Sequence, residues 1–234
     1  MSEVKVMIGL RRKDSVVQKD MHEAWEQQHA PAMAAAFKPL RYAITTFVGR
    51  EGRTPPAFDG IEELWFRDRA HYEQAMGPQA ASDRPLVAAG DDAFLGMLDA
   101  NRCFRLLTTE LVSVEDAPVS RDNQKVVLFV RRLETVEPQH FFDEWRDNHS
   151  GNVAAGFKGR DGAMRYVVTL ADENGSRGAF DGFPVFWWRD MDAMNAPRDP
   201  NAGGGSGAVT DDHFDDLCAV GTLRLIGREF YVVK

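Results

Sequence analysis

The chain has 234 residues, enough for one large domain or two of about 110 residues each. Hydrophobic residues make up 44 % and charged residues 27 %, which supplies a core and sets disorder aside. The formal net charge of −8 argues against a nucleic-acid or anionic-membrane partner, because a phosphate-binding face needs a basic excess.

The residues Met1–Val6 open directly into a strand-like alternation without an apolar signal core, and no run approaches the ~18 apolar residues of a membrane-spanning helix. A cytoplasmic protein is expected. Cys103 and Cys218 have no CxxC spacing and are expected to be reduced and mostly buried. There is no HxH, HExxH or Cys/His cluster, and no GxGxxG or Walker motif. Neither a metal nor another cofactor is expected.

Taken in chain order, the elements occur twice. Val4, Val6, Ile8 and Leu10 alternate with Lys5, Met7 and Gly9 and predict a first strand, matched by Gln124–Val130. A helix is predicted over about Gln18–Gln28, and again over Pro138–Asn148. In these helices Met21, Trp25 and His29, like Phe141, Trp145 and His149, share one face. Ala30-Pro31 and Ser150-Gly151 predict that each helix ends soon after its histidine. A second strand follows at Arg41–Val48 and Arg165–Leu170, and a third at Ile61–Phe66 and Pro184–Trp188. A second helix comes next, interrupted in the later copy by the glycine run Gly203–Gly207, which lacks the lysine and helix entry of a phosphate loop. Last strands are predicted at about Arg102–Val112 and Leu223–Val233.

The correspondence is ordered. Trp25 to His29 recur at an offset of 120 as Trp145 to His149, and Arg41-Tyr42 at 124 as Arg165-Tyr166. Phe58-Asp59-Gly60 and Trp65 recur at 122 as Phe180-Asp181-Gly182 and Trp187, and Asp91 to Phe94 at 120 as Asp211 to Phe214. The sequence therefore predicts an α+β chain of two repeats, 1–115 and 124–234, with a linker at 116–123. Each repeat follows the β-α-β-β-α-β order of the ferredoxin-like plan.

The run Trp25-x-x-x-His29-Ala30-Pro31, then Leu40-Arg41-Tyr42, then Phe58-Asp59-Gly60-x-x-Glu63-Leu64-Trp65-Phe66, resembles the EthD-like family of the dimeric α+β barrel superfamily. The resemblance implies two ferredoxin-like repeats forming an intramolecular dimeric α+β barrel, as a monomeric pseudo-dimer or a homodimer. It also implies a ligand cavity between sheet and helices in each half. Members include cofactor-free cyclases, dehydratases, lactone isomerases and small monooxygenases, with heme enzymes in more distant branches. The second copy departs from the pattern at Ser150-Gly151 and at Val185, which stands where the first has Glu63.

Among the residues that could carry chemistry, His29 and His149 come first. The negative end of a helix dipole would favour their protonated form and burial beside Trp25 or Trp145 would oppose it, leaving each poised near neutrality. The alternative is a histidine that caps carbonyls at the helix break. Tyr42 and Tyr166 could donate to an oxyanion, or simply pack. Glu63, sharing a strand face with Ile61 and Trp65, is expected to orient His29 or act as the second acid–base group. Otherwise one of Glu62 and Glu63 faces solvent and the other pairs with Arg41. Asp91-Asp92 and Asp211-Asp212 read as helix caps, with Asp212 and His213 as reserve acid–base groups in the second copy. His22, His71 and His140 read as surface residues. Trp25, Trp65, Trp145, Trp187 and Trp188 are the expected substrate-binding surface for a small hydrophobic compound. The expected activity is cofactor-independent proton transfer by a lyase, cyclase or isomerase, carried by the first copy. The alternatives are a cofactor-free monooxygenase on a phenol and a non-enzymatic hydrophobic-ligand carrier.

Overall fold

The computed structural model describes residues 3–47, 49, 55–81, 85, 88, 91–172, 179–196 and 212–234. Val48, Asp211 and the glycine run Gly203–Gly207 lie outside the described residues. The chain divides into two compact units, Met1–Thr109 with Gly227–Lys234, and Glu110–Ile226.

In the first unit β1 (Val4–Leu10) leads into α1 (Gln18–Ala24), a π-helical turn (Trp25–His29) and α2 (Ala30–Phe37). Then come β2 (Arg41–Phe47), β3 (Gly60–Phe66), α3 (Arg69–Met76), α4 (Asp92–Met97) and β4 (Phe104–Glu115). β4 starts at Phe104 because Ala100–Arg102 is spent on a 3-10 turn capped by Asp99. The sheet order is β4–β1–β3–β2, all antiparallel, and β2 is completed on its other edge by Gly227–Val233 of the last strand. One sheet face packs under the helices, where Val6, Ile8, Leu10, Tyr42, Ile44, Leu64 and Phe66 meet Met21, Trp25, Met33 and Phe37. The opposite face is also buried. Lys5 is 1 % exposed there, held by Glu63 at 2.6 Å and by the Trp65 ring at 4.9 Å, which offsets the cost of burying its charge.

The second unit repeats the pattern with β5 (Gln124–Phe129), α5 (Pro138–Glu144), a π turn (Trp145–His149), α6 (Ser150–Phe157), β6 (Ala163–Ala171), β7 (Gly182–Trp188) and α7 (Met191–Asn195). A 3-10 turn (Phe214–Leu217) and β8 (Leu223–Val233) follow. The strand order β5–β7–β6 mirrors β1–β3–β2. The four extra residues of this copy form a turn in which Gly159 and Gly162 take φ of 82° and 71°. The units do not follow the sequence repeats to their ends. From Glu110 onward β4 belongs to the second unit, where the Asp116 N–H bonds Met164 O at 2.8 Å, and from Gly227 onward β8 belongs to the first.

The helices do not stop after His29 and His149, as the sequence suggested. Each continues through a π turn, in which the Ala30 N–H reaches Trp25 O and the Ser150 N–H reaches Trp145 O. The turn forms in both copies although only the first has a proline after it, so Pro31 is not its cause. An i→i+5 turn is wider than an α turn and brings residue i+4 nearly back over residue i. Trp25 and His29 thus reach down onto the same strip of sheet.

The Asp-Gly step before each third strand fixes the helix to that strip. A Cβ at Gly60 would lie 2.3 Å from Thr45 O and 2.5 Å from the Trp25 ring, and one at Gly182 would lie 2.8 Å from both Thr169 O and the Trp145 ring. Glycine is what lets each indole lie against the strand. Asp59, fully buried, accepts from the Arg12 N–H at 2.9 Å and Gln18 Nε2 at 3.1 Å, joining the end of β1 to the start of α1. Asp181 accepts from the Arg132 N–H at 2.8 Å in the same way. His22, expected at the surface, is half-buried against this staple, with Nε2 3.0 Å from Asp59 O.

Candidate active site

In the first copy three donors converge on one oxygen. Trp25 Nε1 donates to Glu62 Oε1 at 2.6 Å, Tyr42 O–H to the same atom at 3.0 Å, and His29 Nε2 lies 2.9 Å from it. The other imidazole nitrogen, Nδ1, bonds Asp91, and the ring stacks on Phe94 at 4.2 Å. The cluster is closed, with His29 2 %, Tyr42 0 % and Glu62 1 % exposed. Burial by itself would push the His29 pKa down. The charge of Glu62 and the hydrogen bonds from Asp91 and Glu62 outweigh it and raise the pKa to about 9. His29 is therefore an imidazolium clamped between two carboxylates at neutral pH. The expected balance near neutrality rested on a helix end that the structure lacks. The Tyr42 phenol is held well above its ordinary value, first by burial and then by Glu62.

The carboxylate in this cluster is Glu62, not Glu63. Strand alternation puts Glu63 on the opposite sheet face with Lys5, while neither acid faces solvent and Arg41 pairs with Glu3 instead. Asp91 stands at the N-cap of α4 but makes no side-chain bond to its helix, because its carboxylate is turned to His29. Glu62 was legible in principle. It shares its face with Leu64 and Phe66, the apolar pair that meets the helices.

In the second copy the same scaffold lacks the carboxylate. Ile44 pairs with Glu62 across β2 and β3, and Val168 with Pro184 across β6 and β7, so proline stands where the acid was. Trp145 Nε1 and Tyr166 O–H are buried and neither has a hydrogen-bond partner within bonding geometry. Burial pushes the Tyr166 phenol pKa up, and the neighbouring indole N–H, which acts the other way, does not offset it. His149 repeats His29: Nδ1 lies 3.2 Å and 3.3 Å from the two oxygens of Asp212, and the ring stacks on Phe214 at 4.1 Å. Asp212, rather than Asp211, is thus the counterpart of Asp91. It also caps the following turn through the Phe214 N–H at 3.2 Å. Here burial outweighs the carboxylates of Asp212 and Asp215 and lowers the His149 pKa, so this imidazole is neutral at pH 7. His213 takes no part: its side chain is 81 % exposed and turned toward Asp216.

Of the five tryptophans only Trp25 and Trp145 reach these polar atoms. Trp65 lies on the opposite sheet face under Arg41 and Lys5, and Trp187 likewise under Lys125 and Arg165. Trp188 packs edge-on against Phe157 in the second core. Among the described residues no three His, Cys, Asp or Glu side chains are arranged to hold a metal, since Glu62 and Asp91 point to opposite nitrogens of one ring. No described helix is long and apolar enough to cross a membrane.

No curated protein matches the chain in sequence. Among solved structures, an anthrone oxidase-like protein aligns over 100 % of this chain and 95 % of its own, with a TM-score of 0.63 at 12 % identity. Candidate monooxygenases from Lactobacillus acidophilus (TM-score 0.55, 7 % identity, 100 % and 97 % covered) and Fusobacterium nucleatum (0.53, 12 %, 99 % and 97 %) align similarly. At these identities the likeness is one of fold, and it takes in both copies. Residues 13–96 match the EthD domain, the stretch that carries Trp25, His29, Tyr42, Glu62 and Asp91. The match to the EthD domain is thus confined to the first copy of the repeat, whereas the likeness of fold extends over both.

Proposed function

We propose that the chain is a lyase, cyclase or isomerase that moves a proton on a small hydrophobic carbonyl or phenolic compound without a bound cofactor. One observation carries the reading: in the first copy a histidine oriented by an aspartate shares one oxygen with a tyrosine O–H and an indole N–H, and the second copy carries the same side chains on the same elements, its histidine again on an aspartate. A base next to preorganised donors is what abstraction of a proton beside a carbonyl needs, the donors meeting the negative charge that forms on oxygen. In this reading His149 is the base. Its Nδ1–H is directed to Asp212, which leaves Nε2 as the basic nitrogen, whereas the His29 imidazolium has no lone pair to offer. That moves the chemistry expected of the first copy to the second. The two repeats are taken as the ferredoxin-like halves of the superfamily plan, so the chain is expected to work without a second copy of itself.

The test is deuterium uptake from D2O into a panel of aromatic and polyketide-like ketones, read by mass spectrometry. Uptake is expected with the wild-type chain and is expected to fall at least about 10²-fold in His149→Ala, the usual share of a general base. Uptake that is independent of His149, or absent across the panel, rejects the reading. A second reading, oxygenation of an electron-rich phenol, takes its support from the fold likeness to an anthrone oxidase-like protein. Oxygen consumption with phenolic members of the same panel separates the two.

A further inference from the structure

We propose that the second copy binds a ligand oxygen in the place that Glu62 Oε1 fills in the first, held by the Trp145 N–H and the Tyr166 O–H, so that the two repeats are one cage with and without a built-in occupant. The proposal deepens the proton-transfer reading and rests on it for the ligand class, but its test is binding rather than turnover. In the first copy Trp25, Tyr42 and His29 all point at a single carboxylate oxygen within 3.0 Å. The second copy keeps the counterparts Trp145, Tyr166 and His149 on the same π turn and the same strand, with the same aspartate and the same phenylalanine behind the histidine. Only the acceptor is gone, replaced by Pro184, and the Trp145 N–H and Tyr166 O–H are left fully buried without a bond. A buried donor without an acceptor is costly, and two beside each other at one substituted position mark a place for an oxygen that the chain does not supply.

The surroundings define the rest of the ligand. Position by position, Met21, Leu64 and Phe66 of the first core become Phe141, Phe186 and Trp188, and Tyr166 stacks on Phe186 at 4.6 Å. These aromatic faces suit a flat aromatic ring. His149 and Asp212 are the more open side of this cage, with side chains 11 % and 14 % exposed, against 2 % and 5 % for His29 and Asp91. The ligand is therefore a flat aromatic compound that presents a carboxylate, enolate or carbonyl oxygen to the indole and the phenol.

The experiment uses the full chain with benzoate and 2-naphthoate, titrated by calorimetry and followed by a crystal structure with 2-naphthoate. Saturable binding of one molecule per chain is expected, with a carboxylate oxygen on Trp145 Nε1 and Tyr166 O–H. Tyr166→Phe, which removes a hydroxyl with no internal partner and so keeps the fold, is expected to weaken binding roughly tenfold or more. Tyr42→Phe is expected to leave it unchanged. Pro184→Glu is expected to abolish it by giving the second cage its own carboxylate. Absence of saturable binding, indifference to both Tyr166→Phe and Pro184→Glu, or a structure with water alone on the two donors overturns the proposal. Binding as described with no turnover of any ketone would leave the site standing and reject the enzymatic reading. Turnover that survives Pro184→Glu would do the reverse.

Discussion

Replacing Glu62 by Gln tests the account of the first copy most directly. The substitution keeps shape and leaves an acceptor oxygen for Trp25 and Tyr42, but removes the charge that holds His29 protonated. Moving that imidazole from 6.5 to about 9 on folding corresponds to about 3 kcal/mol of stability. The sign follows from the direction of the shift. The folded pKa lies above the unfolded one, so the contribution is complete below about pH 6.5 and is lost as pH rises through about 9. Urea unfolding at pH 6, 7.5 and 9.5 should therefore show the wild-type chain losing about 3 kcal/mol more than Glu62→Gln across that range. The His29 ring proton in an NMR titration should move at about pH 9 in the wild type and well below that in the variant. Equal pH slopes for the two proteins, or a His29 that titrates at or below 6.5 in the wild type, would refute the clamped-imidazolium description.

Other outcomes follow from the same geometry. Tyr42→Phe should cost about 1–3 kcal/mol, because it takes a donor from a buried carboxylate, while Tyr166→Phe should be neutral or slightly stabilising in the absence of ligand; thermal melts of the pair compare them. Gly60→Ala and Gly182→Ala should each destabilise by about 1–3 kcal/mol and shift tryptophan emission as the indole is lifted off the strand, whereas Gly96→Ala, whose Cβ meets nothing within 4 Å in α4, should be stabilising by up to about 1 kcal/mol. Cys103 and Cys218, pushed up by burial to about 11 and about 12, should alkylate with iodoacetamide at pH 8 far more slowly than free cysteine; rapid stoichiometric labelling of the folded chain would contradict this.

The α+β class and the order of helices and strands were legible because they depend on periodicity and spacing, which a sequence displays. So was the pairing of Trp25 with His29 and Trp145 with His149, since residues four apart share a helix face. The π turn was not legible. It is a choice between two backbone registers, and helix-forming residues permit both. Glu62 and Glu63 were exchanged because the usual guide, one wet face and one dry, fails on a strand buried on both sides. The charge state of His29 depends on Asp91 and Glu62, which arrive from other elements. Pro184 falls opposite Glu62 by the spacing of the repeat, but the two donors it leaves without an acceptor come from the π turn and from β6, which the spacing does not bring together.

The exchanged terminal strands limit how this gene can be divided. Residues 1–115 expressed alone would lack Gly227–Lys234, which pairs along β2 from Tyr42 to Phe47. The bare edge would read Arg-Tyr-Ala-Ile-Thr-Thr-Phe, a β-prone stretch with one charge, and such edges recruit neighbouring chains. A cut at the linker therefore yields not two small proteins but two incomplete ones, the first missing Gly227–Lys234 and the second missing the part of β4 from Glu110 onward. Separate half-length genes would function only as a co-expressed pair that hands back those segments by strand exchange.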